Sequence, residues 1–193
     1  MPEEIRISTL KANFKEAIAK IYQDDYSLIT RKCSERSIVF RLGLYLANSF
    51  MDCGVDVDCE YNKNGDRPKA LREKPFTYPD IIVHEREINE HNFLIVEVKT
   101  PNDTRSADFR NDVDKLMGFT CDASYVYRLG VHVYISAASC SLVWYEAGEI
   151  RERCRYRVDK NTRELLEIHP SGSQRENAFD QWYNDSFRDS LSE

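Results

Sequence analysis

The chain has no apolar run approaching the ~18 residues that a membrane-spanning helix needs. Its first residues, Met1-Pro2-Glu3-Glu4, lack the basic-then-apolar pattern of a secretion signal. No membrane partner is therefore expected, and the cytoplasm is the expected compartment. Metal-clip spacing is missing too. The six cysteines (Cys33, Cys53, Cys59, Cys121, Cys140, Cys154) include no Cys-x-x-Cys pair, and the four histidines are equally scattered. This argues against a zinc site or a disulfide framework and predicts free, mostly buried thiols. There is no internal repeat and no low-complexity tract. An excess of positive charge is also lacking. Lys and Arg number 27 against 33 Asp and Glu, a net charge of −6, so the surface as a whole repels nucleic acid. Part of the acid lies at the two ends, around Glu3-Glu4 and among Asp180, Asp185, Asp189 and Glu193. Between Lys63 and Lys74, by contrast, Lys63, Arg67, Lys69, Arg72 and Lys74 face only Asp66 and Glu73.

What is present reads as a globular chain. Of 193 residues, 41% are hydrophobic and 31% charged, and eleven Tyr and nine Phe argue against wholesale disorder. That length suits one domain, residues 1–193, with modest additions.

Leu10, Phe14, Ala17, Ile18 and Ile21 lie at helical spacing and predict a helix over 8–22. A second helix is expected over 34–51, with Ser34 as N-cap, an inward stripe of Ile38, Leu42, Tyr45, Leu46 and Ser49, and Gly54 just past its end. From Val55 the period changes to two. Residues 55–62 read as a strand with Val55, Val57, Cys59 and Tyr61 on one face, and Asn64-Gly65-Asp66-Arg67-Pro68 breaks it. Further strands are expected over 80–85 and 92–99, with a turn over 86–91 and a stop at Thr100-Pro101-Asn102-Asp103. A helix follows over 106–120, with Phe109, Val113, Leu116 and Met117 inward, then strands over 131–137 and 141–145. Residues 150–158 alternate but are strongly charged. Phe179, Trp182, Tyr183 and Phe187 fall at helical spacing, which predicts a terminal helix docked on the core or on a partner.

The strand over 92–99 carries the chemistry. Phe93 and Ile95 share one face, and Leu94, Val96 and Val98 the other, so it belongs at the centre of a sheet covered on both sides. Glu97 and Lys99 continue the Phe93/Ile95 face, with Cα atoms about 6.5–7 Å apart. Charges at the end of such a strand are costly unless paired or bound to an ion. Asp80 opens the preceding strand, and an antiparallel hairpin brings the start of one strand to the end of the other. Two carboxylates meeting there make a hard oxygen site suited to Mg²⁺, and a neighbouring lysine can orient water and offset charge on a phosphoryl group. Glu35 is in phase with Ile38 and Leu42 and is a further candidate ligand of metal or water. As a first-turn residue it also offsets the helix dipole.

These elements, Glu35, Pro79-Asp80 and Glu97-Val98-Lys99, resemble the PD-(D/E)XK nuclease superfamily, whose motif is Pro-Asp, a short interval, then Glu-x-Lys on the next strand. Glu60-Tyr61-Asn62 and Tyr78-Pro79-Asp80-Ile81-Ile82-Val83-His84 are similar to a group of small uncharacterised members. The resemblance implies an α/β, or α+β, fold with a mixed sheet and a restriction-endonuclease-like αβββαβ core over about 30–145. Residues 1–27 would add an N-terminal helix, and 159–193 a polar segment with a docking helix. It implies that Asp80, Glu97 and the Val98 carbonyl hold Mg²⁺, with Mn²⁺ as a substitute. Lys99 would position the attacking water, Glu35 would assist, and Lys115 is either near the site or a solvated helix lysine. The expected activity is endonucleolytic phosphodiester hydrolysis of nucleic acid, DNA ahead of RNA, with a homodimer suited to double-strand cleavage. The alternative is a catalytically silent binding or assembly module on the same fold, suggested by the acidic charge and the aromatic terminal segment. A third reading leaves Glu97 and Lys99 as an exposed pair on a generic α/β domain.

Overall fold

The computed structural model describes residues 5–64, 67–71, 74–75, 78–101, 106–168 and 178–188. Helix α1 (Ile7–Asp24) forms along its apolar stripe and buries Leu10, Phe14, Ala17, Ile18, Ile21 and Tyr22. A short α2 (Tyr26–Thr30) leads to α3 (Glu35–Ser49), which buries Ile38, Val39, Leu42, Gly43, Tyr45 and Leu46. Ser34 takes the N-cap position, but its hydroxyl meets Ser37 Oγ at 3.0 Å instead of capping a backbone amide. Helix α3 ends at Ser49, two residues short of expectation, and Gly54 follows in a turn with φ 67°.

Seven strands make one sheet: β1 (Asp56–Cys59), β2 (Ile81–Glu85), β3 (Ile88–Lys99), β4 (Leu129–Ile135), β5 (Ser139–Glu146), β6 (Glu149–Val158) and β7 (Leu165–Glu167). They neighbour one another in chain order. Every pair is antiparallel except β3–β4, which is parallel. A parallel pair needs a crossover, and α4 (Ser106–Cys121) provides it. The run α3-β1-β2-β3-α4-β4 is thus the αβββαβ order of the restriction-endonuclease-like fold, and the sheet is mixed. One face packs on α1 and α3, the other on α4 and a terminal α5 (Ala178–Arg188). Between β1 and β2 are two small ladders, Lys63–Asn64 with Arg67–Pro68 and Ala70–Leu71 with Lys74–Pro75.

Several expectations are corrected. Val83 pairs with Leu94 and His84 with Asn92, so Phe93 is an extra, bulged residue. The bulge turns it onto the α1/α3 face with Leu94 and Val96, while Ile95 faces α4. β1 stops at Cys59 because Glu60 adopts φ 50°, and this left-handed residue sends Tyr61 to the α4 side, away from Val55 and Val57. In α4, Phe109, Val113 and Leu116 face inward, but Met117 is 36% exposed, and Phe119 and Thr120 are buried instead. Residues 149–158 are a full strand. The cysteines are free, yet only Cys140 and Cys154 are buried.

Lys69 is no surface cation. It is buried, donates to Tyr127 Oη at 2.6 Å, and lies over the rings of Tyr61, Phe119 and Tyr127. Burial lowers its pKa to about 8. The side chains of Arg67, Arg72 and Lys74 in the same basic stretch, and residues 65–66, lie outside the described residues, as do Asn102, Asp103, Asp189 and Glu193. The terminal helix docks on the core, with Phe179 and Tyr183 buried on the α4 face and Trp182 against them. The side chain of Phe187 lies outside the described residues. Among the described residues no helix is long and apolar enough to cross a membrane.

Gly130 on β4 sets how closely α4 approaches the sheet. A Cβ there would stand 3.2 Å from both Thr120 Cγ2 and Tyr145 Cβ and 3.3 Å from Leu116 Cδ2. Gly130→Val is expected to lower unfolding stability by about 1–3 kcal/mol through overpacking. The check is a urea melt, and an unchanged midpoint would show that α4 has room to spare.

Candidate active site

Asp80 lies just before β2, where the ladder runs out. β2 begins with Ile81 opposite Val96, so the Val98 N–H two residues on has no strand partner on that side. Asp80 Oδ2 accepts it at 2.7 Å and stands in for the missing carbonyl. The Glu60 N–H donates to the Asp80 carbonyl at 3.1 Å, which fixes the backbone at this corner. Burial raises the Asp80 carboxyl above its ordinary value, and the Val98 N–H only partly offsets this.

Glu97 and Lys99 are on the α4 face of β3, 1% and 6% exposed. The reading of them as an exposed, solvated pair is thereby excluded. Glu97 Oε2 accepts from Lys115 Nζ at 2.5 Å, while Glu97 Oε1 is buried with no hydrogen-bond partner. Burial first, and the Asp80 charge next, push the Glu97 carboxyl well above the usual range. Lys99 Nζ is 2.9 Å from Asp112 Oδ2 and 3.7 Å from Glu35 Oε1. Burial would favour a neutral Lys99, but Asp112 and then Glu35 outweigh it and raise its pKa. Glu35, at the start of α3, is therefore joined to the cluster through Lys99.

Helix α4 supplies two groups that the strand pattern alone did not single out. Lys115 bridges Glu97 and Asp112 Oδ1, at 3.2 Å, and also reaches the Tyr78 carbonyl at 3.4 Å. It is part of the cluster, and the reading of it as a solvated helix lysine falls. Burial opposes its charge, but Glu97 and Asp112 raise its pKa. Asp112 is buried and receives both lysines. Burial would lift its carboxyl; His132, Lys115 and Lys99 hold it far below the carboxylate range instead. The signal for Asp112 was its phase: it falls three residues after Phe109 and four before Leu116, within the inward arc of α4. Nothing in the sequence marked His132, which pairs across the parallel ladder with Glu97. Its Nε2 is 3.5 Å from Asp112 Oδ2, and burial lowers its pKa so that the neutral ring is favoured.

The cluster thus holds four carboxylates (Glu35, Asp80, Glu97, Asp112) against two ammonium groups (Lys99, Lys115). With all four ionised, these carboxylates outnumber the ammonium groups among the described residues by two. A hard dication fits this set. Mg²⁺ uses one or two carboxylates and keeps its waters, and Glu97 Oε1 is a buried oxygen without a donor. Among the described residues no group of three or more His, Cys, Asp or Glu side chains is placed to hold a metal ion.

No family model and no curated protein matches the chain. A solved structure described as the cryoEM structure of a DrdV–DNA complex is similar to it, with a TM-score of 0.47 and 15% identity. The match covers 72% of this chain and 12% of that one, so the chain spans a small fraction of that protein's length. Likeness at this level assigns no residue.

Replacing Asp112 tests the charge balance. Asp112→Asn takes the shared negative charge from buried Lys99 and half-buried Lys115, and breaking such a pair costs about 3–5 kcal/mol. A chemical melt of the variant should show that loss. A change below about 1 kcal/mol would mean that the two lysines do not depend on Asp112.

Proposed function

We propose that the chain is a PD-(D/E)XK-type nuclease, a Mg²⁺-dependent endonuclease that hydrolyses phosphodiester bonds, with DNA as substrate ahead of RNA. The observation that carries this reading is the carboxylate pair of half-buried Asp80 and buried Glu97, with one Glu97 oxygen held by Lys115 and the other unmatched. Asp80, Glu97 and the Val98 carbonyl would hold the ion. In extended backbone that carbonyl projects to the same strand edge as the N–H that Asp80 accepts. The bound ion would act as a Lewis acid toward a phosphate oxygen and lower the pKa of a water.

The chain's own groups do the rest. Lys99, held charged by Asp112 and Glu35, can orient the attacking water and donate to the phosphoryl oxygen on which charge develops. Glu35, beside Lys99 and less buried than the strand residues, would hold that water from the other side. Lys115 keeps Glu97 in place and stabilises its ionised form. The alternative of a silent binding module drew on the acidic net charge, which stands, and on the aromatic terminal segment, of which Phe179 and Tyr183 are buried within the molecule's own core.

Purified protein with Mg²⁺ or Mn²⁺ is expected to cut DNA, and Asp80→Ala or Lys99→Ala should lower cleavage at least about 100-fold. Robust cleavage by either variant would sink the residue assignment.

Metal binding has a separate readout in stability. Asp80 and Glu97 have raised folded pKa values, so without metal the native state holds more protons than the unfolded chain above pH ~4. Their contribution to stability therefore falls as pH rises toward the folded values. A cation needs both groups ionised, so its binding releases protons and strengthens with pH. The gain in Tm from Mg²⁺ is expected to be larger at pH 8 than at pH 5 and to vanish in Glu97→Gln. An equal gain at both pH values would argue that the ion binds elsewhere.

A further inference from the structure

The terminal helix α5 reaches the centre of the charge cluster through a single file of buried groups. Tyr145 Oη on β5 is 2.5 Å from Tyr183 Oη on α5, and Tyr183 Oη is 2.6 Å from His132 Nδ1. His132 Nε2 in turn faces Asp112 Oδ2 at 3.5 Å, an electrostatic contact and not a formed hydrogen bond. Asp112 then contacts Lys99 at 2.9 Å and Lys115 at 3.2 Å. All of these groups except Lys115 are buried.

The directions of donation follow from the ends of the file. An ionised carboxylate accepts only, so His132 turns an N–H toward Asp112 and presents Nδ1 as an acceptor. The Tyr183 hydroxyl donates to Nδ1, and the Tyr145 hydroxyl donates to Tyr183. The Tyr183 hydroxyl thus donates to one neighbour and accepts from the other, and the imidazole has one tautomer. The ring is also clamped edge-on by Phe109 and Phe179, at centroid distances of 6.2 and 4.7 Å. A histidine held in this way sets where Asp112 can sit, and Asp112 is the acceptor that the two lysines share.

We propose that Tyr183 and His132 are positioning residues for the active site: through Asp112 they hold Lys99 and Lys115 in register with Glu97 and Glu35, which makes α5 part of the catalytic apparatus and not only a cover for the core. This rests on the nuclease reading for its catalytic consequence, whereas the positioning itself is independent of it. Outer-layer partners that orient site groups are commonly worth about 10–100-fold in activity or metal affinity. Since they touch neither substrate nor reacting atoms, their loss should appear in kcat with KM little changed.

The experiment uses the full-length chain in three variants: Tyr183→Phe, which removes one hydroxyl, His132→Gln, and Phe179→Leu, which loosens the same aromatic packing but keeps the file. The first measurement is proton NMR of the Lys99 and Lys115 ammonium groups in metal-free protein, where an ordered ammonium exchanges slowly with water. Tyr183→Phe and His132→Gln are expected to accelerate that exchange at least tenfold while Phe179→Leu does not. The second is cleavage kinetics with Mn²⁺, in which Tyr183→Phe should lower kcat about tenfold and leave KM within twofold.

Unchanged ammonium exchange in Tyr183→Phe and His132→Gln overturns the proposal, and so does an equal acceleration in Phe179→Leu, which would reduce the file to packing. If the wild-type chain cuts no nucleic acid, the nuclease reading fails while the exchange measurement still decides the positioning role. If the chain is an active nuclease and kcat is indifferent to Tyr183→Phe, α5 has no part in catalysis.

Discussion

Two charged side chains end a strand that is covered on both faces, and the architecture on the α4 side is arranged around compensating them. Leu94, Val96 and Val98 fasten β3 to α1 and α3, and Ile95 fastens it to α4. The strand cannot shift by one residue without turning its whole apolar set over. Glu97 and Lys99 are therefore held in the interior whatever the cost of burying them. An ammonium near Glu97 and a carboxylate near Lys99 are needed, and α4 brings both: Lys115 to Glu97 and Asp112 to Lys99. That helix lies over these residues because β3 and β4 are parallel neighbours and require a crossover.

Compensation is incomplete by design of the geometry. Lys115 satisfies one oxygen of Glu97 and leaves the other buried without a donor, and Asp80 adds a further carboxylate whose nearest strong partner is a backbone N–H. A cluster built only for stability would gain from replacing such groups with apolar ones, since buried ion pairs rarely repay their desolvation. Strongly perturbed carboxyls gathered beside lysines occur at functional sites and in structural ion-pair networks alike. Burial already pushes the Asp80 and Glu97 carboxyls toward their neutral forms, and a hard cation is the kind of group that would favour their ionised ones.

Much of the arrangement was legible before any coordinates. The period-3.6 stripes of α1 and α3 and the apolar run into Glu97-Val98-Lys99 were clear, because both faces of β3 are buried and its composition records that. The hairpin logic that joined Asp80 to the end of β3 held, although the contact is to the Val98 amide. Local backbone choices were not legible. The bulge at Phe93 and the left-handed Glu60 each reverse the face of a residue, and neither has a compositional marker such as glycine. Asp112 was visible in principle, since it shares the inward arc of α4 with Phe109 and Leu116, but charged residues in such an arc usually point to solvent.

The sequence by itself determined the main helices and the strands leading to the site, but not α2, β6, β7 or the start of β3 at Ile88. It also determined the central place of β3 and the fact that Asp80, Glu97 and Lys99 would lie near its end. These are consequences of hydrophobic period and strand alternation, which are local properties. Only the tertiary structure decided that the charges are buried, that Asp112 and Lys115 balance them from α4, and that His132 and Tyr183 tie the cluster to the last helix. Those contacts join residues 13 to 51 positions apart. They depend on how closely a helix packs on a sheet, where a glycine such as Gly130 admits it, and no periodicity along the chain records that distance.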